Sequence, residues 1–339
     1  MVKFNQNKII VHKRRFFCMK KCSFLFFLTA LIFLTFSCKK KEITPAYLVL
    51  TEDDFKDCIE NDLVKFNKVH EKNTLAPYDD EGYAAIRQQH FRDVLVSLNG
   101  KSLGYWRLPC RIPLLPNYSS INNIRIIPCV RVPGISLTAV PYYFLEPTPK
   151  ELFLEIEKGK EYRKSDLSDL KYEYVAGVDF PLLETFSKSY PPFKPHDTIK
   201  FPTPMNVIPD AELGKNVGVI TLEDSVSFFN VVTSFFNLSG SGVRHFWEMH
   251  YKCESGEMTT YLNFQNTSTG VFQQDLIVFP ATSTWKKAYI DLTDVISRAS
   301  ESAYSVSICL GIRGYKSGGA KKATFYFDNI KIISMYAPY

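Results

Sequence analysis

The sequence predicts an all-β protein of two β-sandwich domains, and composition, strand-like runs and the turns between them carry that reading. Ala is scarce, while Phe, Tyr, Val, Ile and Thr are common, with 19 Pro and 16 Gly to break elements. At 45% hydrophobic and 14% aromatic, the 339 residues can bury real cores, and the length suggests two domains.

The N-terminal segment comes first. Residues 1–37 carry Lys3, Lys8, Lys13, Arg14, Arg15, Lys20 and Lys21 and no acid. Removing those seven charges from the net +6 leaves −1, so the remaining chain has no general attraction for nucleic acid. Lys20-Lys21 precede an apolar run at 24–36 (FLFFLTALIFLTF), then Ser37-Cys38 and three lysines. That run is too short to cross about 30 Å of hydrocarbon, but it suits the core of a signal peptide. A small residue directly before Cys38 resembles the lipobox of bacterial lipoproteins, although Thr35 stands where that family usually has Leu. The resemblance implies a diacylglyceryl thioether on Cys38, cleavage before it, and a tether over 38–46. It further implies an outer-membrane location, with the periplasmic or cell-surface face undecided. An uncleaved signal acting as an anchor is the alternative. Met19 also opens an ordinary signal (MKKCSFLFF), so the true start can lie there.

Residues 47–147 read as the first β-sandwich. Tyr47–Leu50 looks like a strand, whereas Phe55, Ile59, Leu63 and Phe66 stand at helical spacing and suggest a helical insertion. From Asp93 the chain is strand-like, with Asn99-Gly100 as a type I′ hairpin turn. Short Pro-punctuated β pieces follow. Residues 148–205 are charged and Pro-rich and read as a linker, with the second domain beginning as early as Asp179. Over 206–337, eight strand-like runs separated by NLSGSG, ESGE, NTSTG and KSGGA predict two packed antiparallel sheets.

Cysteines constrain the chemistry. Cys18 and Cys22 leave with the signal, so Cys58, Cys110, Cys129, Cys253 and Cys309 remain beside Cys38. Cys110 and Cys129 flank a turn at residues 116–120. If the flanking strands pair, they could form a cross-strand disulfide, and two free thiols are the alternative. No C-x-x-C spacing points to zinc or redox work.

TWKKAYIDLTD, followed some thirty residues later by FYFDNIKII, resembles the carbohydrate-binding jelly rolls of the galactose-binding-like class. ITPAYLVL, DVLVSLNGKSLGYWRLPCRIPLL and RIIPCVRVPGISLTAVPYYF resemble uncharacterised Bacteroidetes envelope lipoproteins. Together these stretches cover most of the mature chain. The resemblance implies a C-terminal jelly roll that binds a glycan through exposed aromatics, with Trp247, Tyr251, Tyr261 and Tyr315 as candidates. Trp285 reads as core packing. It also implies a structural Ca²⁺ near a sheet edge, with Asp328 as one ligand, or else a plain strand-end hydrogen-bonding pair at Asp328-Asn329.

Catalytic signals are missing. In His245-Phe-Trp-Glu248-Met-His250, strand alternation puts Glu248 and His250 on one face and His245 on the other, so three ligands do not converge. Gly100-Lys101-Ser102 lacks the first glycine of a P-loop and is better explained as a hairpin turn. The carboxylates Asp53-Asp54 and Asp79-Asp80-Glu81 lie in polar stretches and read as surface. No hydroxyl or thiol nucleophile has an evident base. The expectation is a non-catalytic, lipid-anchored envelope protein that binds a glycan or other ligand. The alternative is an accessory subunit of an outer-membrane barrel, secretion or assembly complex.

Overall fold

The computed structural model describes residues 44–60, 80–116, 120–132, 139–167, 170–200, 202–240, 242–266, 270–300 and 305–336. Cys38 with the apolar run before it, and Leu63 and Phe66, lie outside the described residues. Pro45–Tyr339 makes up one compact unit.

Ten strands and a helix come first. They are β1 (Ala46–Leu50), α1 (Asp80–Arg87), β2 (Asp93–Leu98), β3 (Lys101–Arg107), β4 (Cys110–Leu114), β5 (Asn122–Arg131), β6 (Ala139–Pro141), β7 (Leu145–Thr148), β8 (Leu152–Leu154), β9 (Glu161–Tyr162) and β10 (Lys171–Tyr174). They form three sheets, ordered β4-β1-β9, β10-β7 and β3-β2-β5-β6, with β8 on β5. The β2–β3 hairpin turns at Asn99-Gly100, both with positive φ (51° and 74°), as a type I′ turn requires.

The helical reading of Phe55 and Ile59 is corrected. Phe55 ends a single 3₁₀ turn, and Ile59 bridges to Tyr172 as extended backbone. Both are buried, so their spacing reflected burial and not helical period. The helix stands instead at α1, where Asp80 and Glu81 sit in the first turn and favour its dipole.

The disulfide expectation is corrected too. β4 pairs with β1, and β5 with β2, β6 and β8, so Cys110 and Cys129 lie in different sheets and both are free. Burial pushes their thiols up, to about 11 and about 12.

The second half carries β11 (Val178–Glu184), β12 (Lys194–Pro195), β13 (Asn206–Asp210), β14 (Lys215–Glu223), β15 (Phe228–Val232), β16 (Phe236–Ser239), β17 (Val243–Glu254), β18 (Gly256–Asn266), β19 (Gly270–Phe279), β20 (Thr282–Asp291), α2 (Thr293–Ala299), β21 (Ser305–Lys316) and β22 (Lys322–Tyr336). One sheet runs β13-β14-β22-β17-β20, with β11 on β22; the other runs β12-β15-β21-β18-β19, with β16 on β21. From β14 onward the chain shuttles between the two sheets, the alternation of a jelly-roll sandwich.

Residues 148–205 are therefore more than a linker. They supply β8, β9 and β10 to the N-terminal sheets and β11 and β12 to the sandwich.

Part of the first sheet is buried on both faces. Trp247, Met249, Ile330 and Ile332 point into the sandwich core, while Phe246, Tyr289, Ile333 and Met335 join the N-terminal core on the other side. That is why both faces of β22 carry apolar residues, Phe325, Phe327, Ile330 and Ile332 on one and Ile333 and Met335 on the other. Each buried Phe, Ile or Met contributes about 1.5–3 kcal/mol.

Candidate functional site

The second sheet differs from the first in its outer face. Phe229, Val231, Met258, Leu262, Ile308, Leu310 and Ile312 fill the core, so their alternates point outward. Register places Phe228 beside Tyr315, Arg313 between Asn230 and Thr259, and Tyr261 between Gly311 and Asp275. The Phe228 and Tyr315 rings lie 4.7 Å apart at 38°, and Tyr315 is 44% exposed. One end of this face is thus an aromatic platform.

Beside it runs a polar row. Arg313 donates to Asp275 at 2.5 Å and lies over the Tyr261 ring at 5.7 Å. Tyr261 donates its hydroxyl to Asn230 at 2.5 Å, which leaves the Asn230 amide nitrogen unbonded among the described residues. Tyr261 lies flat because Gly311 has no side chain: a Cβ there would stand 2.1 Å from its ring. Burial pushes its phenol up to about 12, so it stays a neutral donor. Arg313 Nε is buried without a partner among the described residues. The face therefore offers a stacking surface next to fixed donors and acceptors.

The four expected aromatics do not act together. Tyr315 alone stands open on this face. Tyr261 is fully buried as its support, Trp247 is fully buried in the core, and half-buried Tyr251 packs on Phe279 at 4.8 Å. Trp247 faces inward by the same alternation that turns Glu248 outward, so it is withdrawn as a ligand contact. Trp285 is not core: it is half-buried on the first sheet's outer face, 6.2 Å from Tyr326 and 5.6 Å from the Lys252 ammonium.

The structure places Asp328 against a lysine. It is 1% exposed and ion-paired to Lys215 at 2.9 Å, so a cation already faces it. Among the described residues no cluster of three His, Cys, Asp or Glu could complete a metal site. The Asp328-Asn329 pair breaks β22 at the point where β14 leaves its edge and β11 takes over. Asn329 has φ 47°, a conformation that Asn tolerates. Its amide donates to Ala85 O at 2.8 Å and binds the end of α1.

His245, Glu248 and His250 do not converge. The His245 ring bonds Ser334 Oγ at 2.7 Å and Ser239 O at 2.9 Å. Burial drives its pKa down to about 4. Glu248 turns to the opposite side, into a buried cluster that the sequence reading missed. Its Oε2 lies 3.2 Å from Lys287 and 3.4 Å from Lys331, and Tyr142 donates to Oε1. Burial alone would raise the Glu248 carboxyl; Lys331 and Lys287 reverse that and hold it below its ordinary value. Burial, with Lys331 alongside, lowers Lys287 to about 7. Lys331 also donates to Ala85 O at 3.1 Å, which sets a cation at the C-terminal end of α1. This cluster clamps the N-terminal sheets to the sandwich. Its sequence signal is a charged residue inside an apolar strand: Glu248 in HFWEMHY and Lys331 in NIKII.

No family model and no curated protein matches the chain. Solved structures resemble it weakly. A Clostridium thermocellum xylanase 10B chain with binding and catalytic modules, complexed with xylohexaose, gives TM-score 0.34 at 11% identity, over 45% of this chain and 28% of that one. The family 22 carbohydrate-binding module of the same enzyme gives 0.34 at 11%, over 47% and 94%. A family 11 module from Clostridium thermocellum with a mixed-linked tetrasaccharide gives 0.31 at 13%, over 48% and 96%. The all-β sandwich assignment rests on the strand order and registers above.

Proposed function

We propose that this chain is a non-catalytic, lipid-anchored envelope protein that binds a glycan on the outer face of its second sheet. The observation that carries the reading is the Phe228–Tyr315 platform lying against the polar row of Asn230, Arg313 and Asp275. A pyranose ring has an apolar face that stacks on an aromatic and an equatorial rim of hydroxyls that needs fixed donors and acceptors. The signal-like segment ending at Cys38 supports tethering at the outer membrane.

Affinity electrophoresis of the whole mature protein against xylan, mixed-linkage β-glucan and galactan tests the glycan step. Retardation by at least one polymer is expected, weakened about tenfold, or about 1.4 kcal/mol, by Tyr315→Ala. No retardation by any of them, or retardation indifferent to Tyr315→Ala, would overturn it. Metabolic labelling with a palmitate analogue, lost on Cys38→Ala, tests the anchor.

A second reading has its own observation. β19 is an edge strand of that sheet and exposes Val271, Phe272 and Val278. An apolar edge suits docking by strand pairing, as an accessory subunit of a barrel or assembly complex would need. Crosslinking in cells that recovers a barrel protein, lost on Val278→Lys, would favour it.

A further inference from the structure

A separate cleft of about 370 Å³ opens where the ends of β2 and β5 meet the β19–β20 turn. Its lining is basic: His90, Arg92, Arg131, Lys286 and Lys287 reach it, with Tyr251 as part of one wall, and among the described residues no carboxylate lines it. Some of these charges are already matched from behind. Asp93 holds Arg131 with two 2.7 Å bonds, Glu248 pairs with Lys287 at 3.2 Å, and Glu52 reaches His90 at 3.4 Å.

Arg92 and Lys286 remain. Both are exposed, and neither has an acid within ion-pair distance among the described residues. Arg92 instead points its Nε at His90 Nε2, 3.4 Å away, the ring nitrogen that Glu52 also approaches. Two uncompensated cations in one concave site focus a positive potential, and a guanidinium is shaped for bidentate oxyanion binding. Tyr251 adds a flat apolar surface, and the volume suits a group of sugar size.

We propose that this cleft binds an oxyanion, the carboxylate or sulfate of a small saccharide acid, with Arg92 and Lys286 as its charged contacts. This does not depend on the second-sheet face, because none of the residues placed there lines the cleft. Inorganic sulfate and sulfated galactose would present the same charge as galacturonate, so the probes must separate them.

The experiment is isothermal titration of the whole mature protein with galacturonate, galactose 6-sulfate, inorganic sulfate and neutral galactose at low salt. The expected result is binding of at least one anionic sugar more tightly than galactose, weakened about tenfold by Arg92→Ala/Lys286→Ala and by added salt. Inorganic sulfate alone binding would reduce the site to a simple anion pocket and overturn the saccharide assignment. Equal affinity for galactose and the acids, or a double variant that binds as the parent does, would overturn the proposal. Lys322→Ala, a basic change outside the cleft, should leave binding unchanged. Both residues are on the surface, and unchanged circular dichroism of the double variant would confirm that it folds.

Discussion

Glu248→Gln removes the single negative charge of the Glu248–Lys287–Lys331 cluster and leaves its shape almost intact. All three side chains are 1% exposed or less. At an effective dielectric of about 20, each pair near 3.3 Å is worth about 5 kcal/mol in gross attraction. Lys287–Lys331 repulsion and desolvation cancel part of this, and breaking buried pairs costs about 3–5 kcal/mol in practice. The amide would leave two ammoniums facing each other and weaken the bond from Tyr142. Urea unfolding followed by tryptophan fluorescence should show a lower midpoint at unchanged slope, a loss of about 3–5 kcal/mol from a total of order 5–15. Lys287→Met is the control with the opposite logic. It removes a cation that burial already disfavours, so it should cost at least 2 kcal/mol less than Glu248→Gln. A Glu248→Gln loss below about 1 kcal/mol, or a larger loss for Lys287→Met, would refute the claim that this carboxylate offsets both lysines.

The same cluster sets a pH dependence. Lys287 titrates near 7 when folded against 10.5 unfolded, so between those values the unfolded chain holds the extra proton. Stability should therefore rise by up to about 5 kcal/mol from pH 7 towards pH 10, and unfolding curves of Lys287→Met should lose that slope. His245, fully buried, falls from 6.5 to about 4, so its share of stability is complete above pH 6.5 and lost as pH drops to 4. The loss should be about 3 kcal/mol on the acid limb, and His245→Asn should flatten it. Gly311→Ala would push a methyl into the Tyr261 ring and break its bond to Asn230. A cost of about 1–3 kcal/mol is expected, with any polysaccharide retardation reduced, and adding Tyr261→Val should restore the stability but not the retardation.

Fold class was legible because it depends on pattern. Turn residues at NLSGSG, ESGE and KSGGA cut the second half into strands, and Asn99-Gly100 named its own hairpin type. Two kinds of information were not local. Phe55 and Ile59 lie at helical spacing, yet each is buried against a residue more than a hundred positions away, Tyr172. The cross-strand disulfide failed for the same reason: β4 turns away to β1, a partner sixty residues earlier, and proximity in sequence predicted the wrong neighbour. At the proposed binding face, exposure was the missing quantity. Alternation within β17 correctly separates His245 from Glu248, but it cannot say which face of the sheet another unit covers. Trp247 and Tyr315 look equally available in sequence, and one is core.

Coverage of the first sheet bears directly on where a ligand can bind. α1 sits over that sheet, held by Asn329, Lys331 and Lys287 through the carbonyls of Ala85, Ile86 and Gln88. The aspartate–asparagine pair that resembles a ligand motif is thereby spent on structure: Asp328 holds Lys215, and Asn329 fastens the helix. With Phe246, Ile333 and Met335 closed off beneath the N-terminal sheets, much of the first sheet is lost to ligands. Among the described residues no such cover lies over Tyr315 on the second sheet, and Gly311 keeps its centre low enough for Tyr261 to lie flat. A broad, shallow surface with stacking at one end and fixed hydrogen-bonding groups beside it is what an extended polymer needs, since a chain of sugars cannot enter a closed pocket. The basic cleft at the junction is narrow and charged instead, which suits a single acidic unit. The two proposed sites would thus select for different features of a ligand, length and charge.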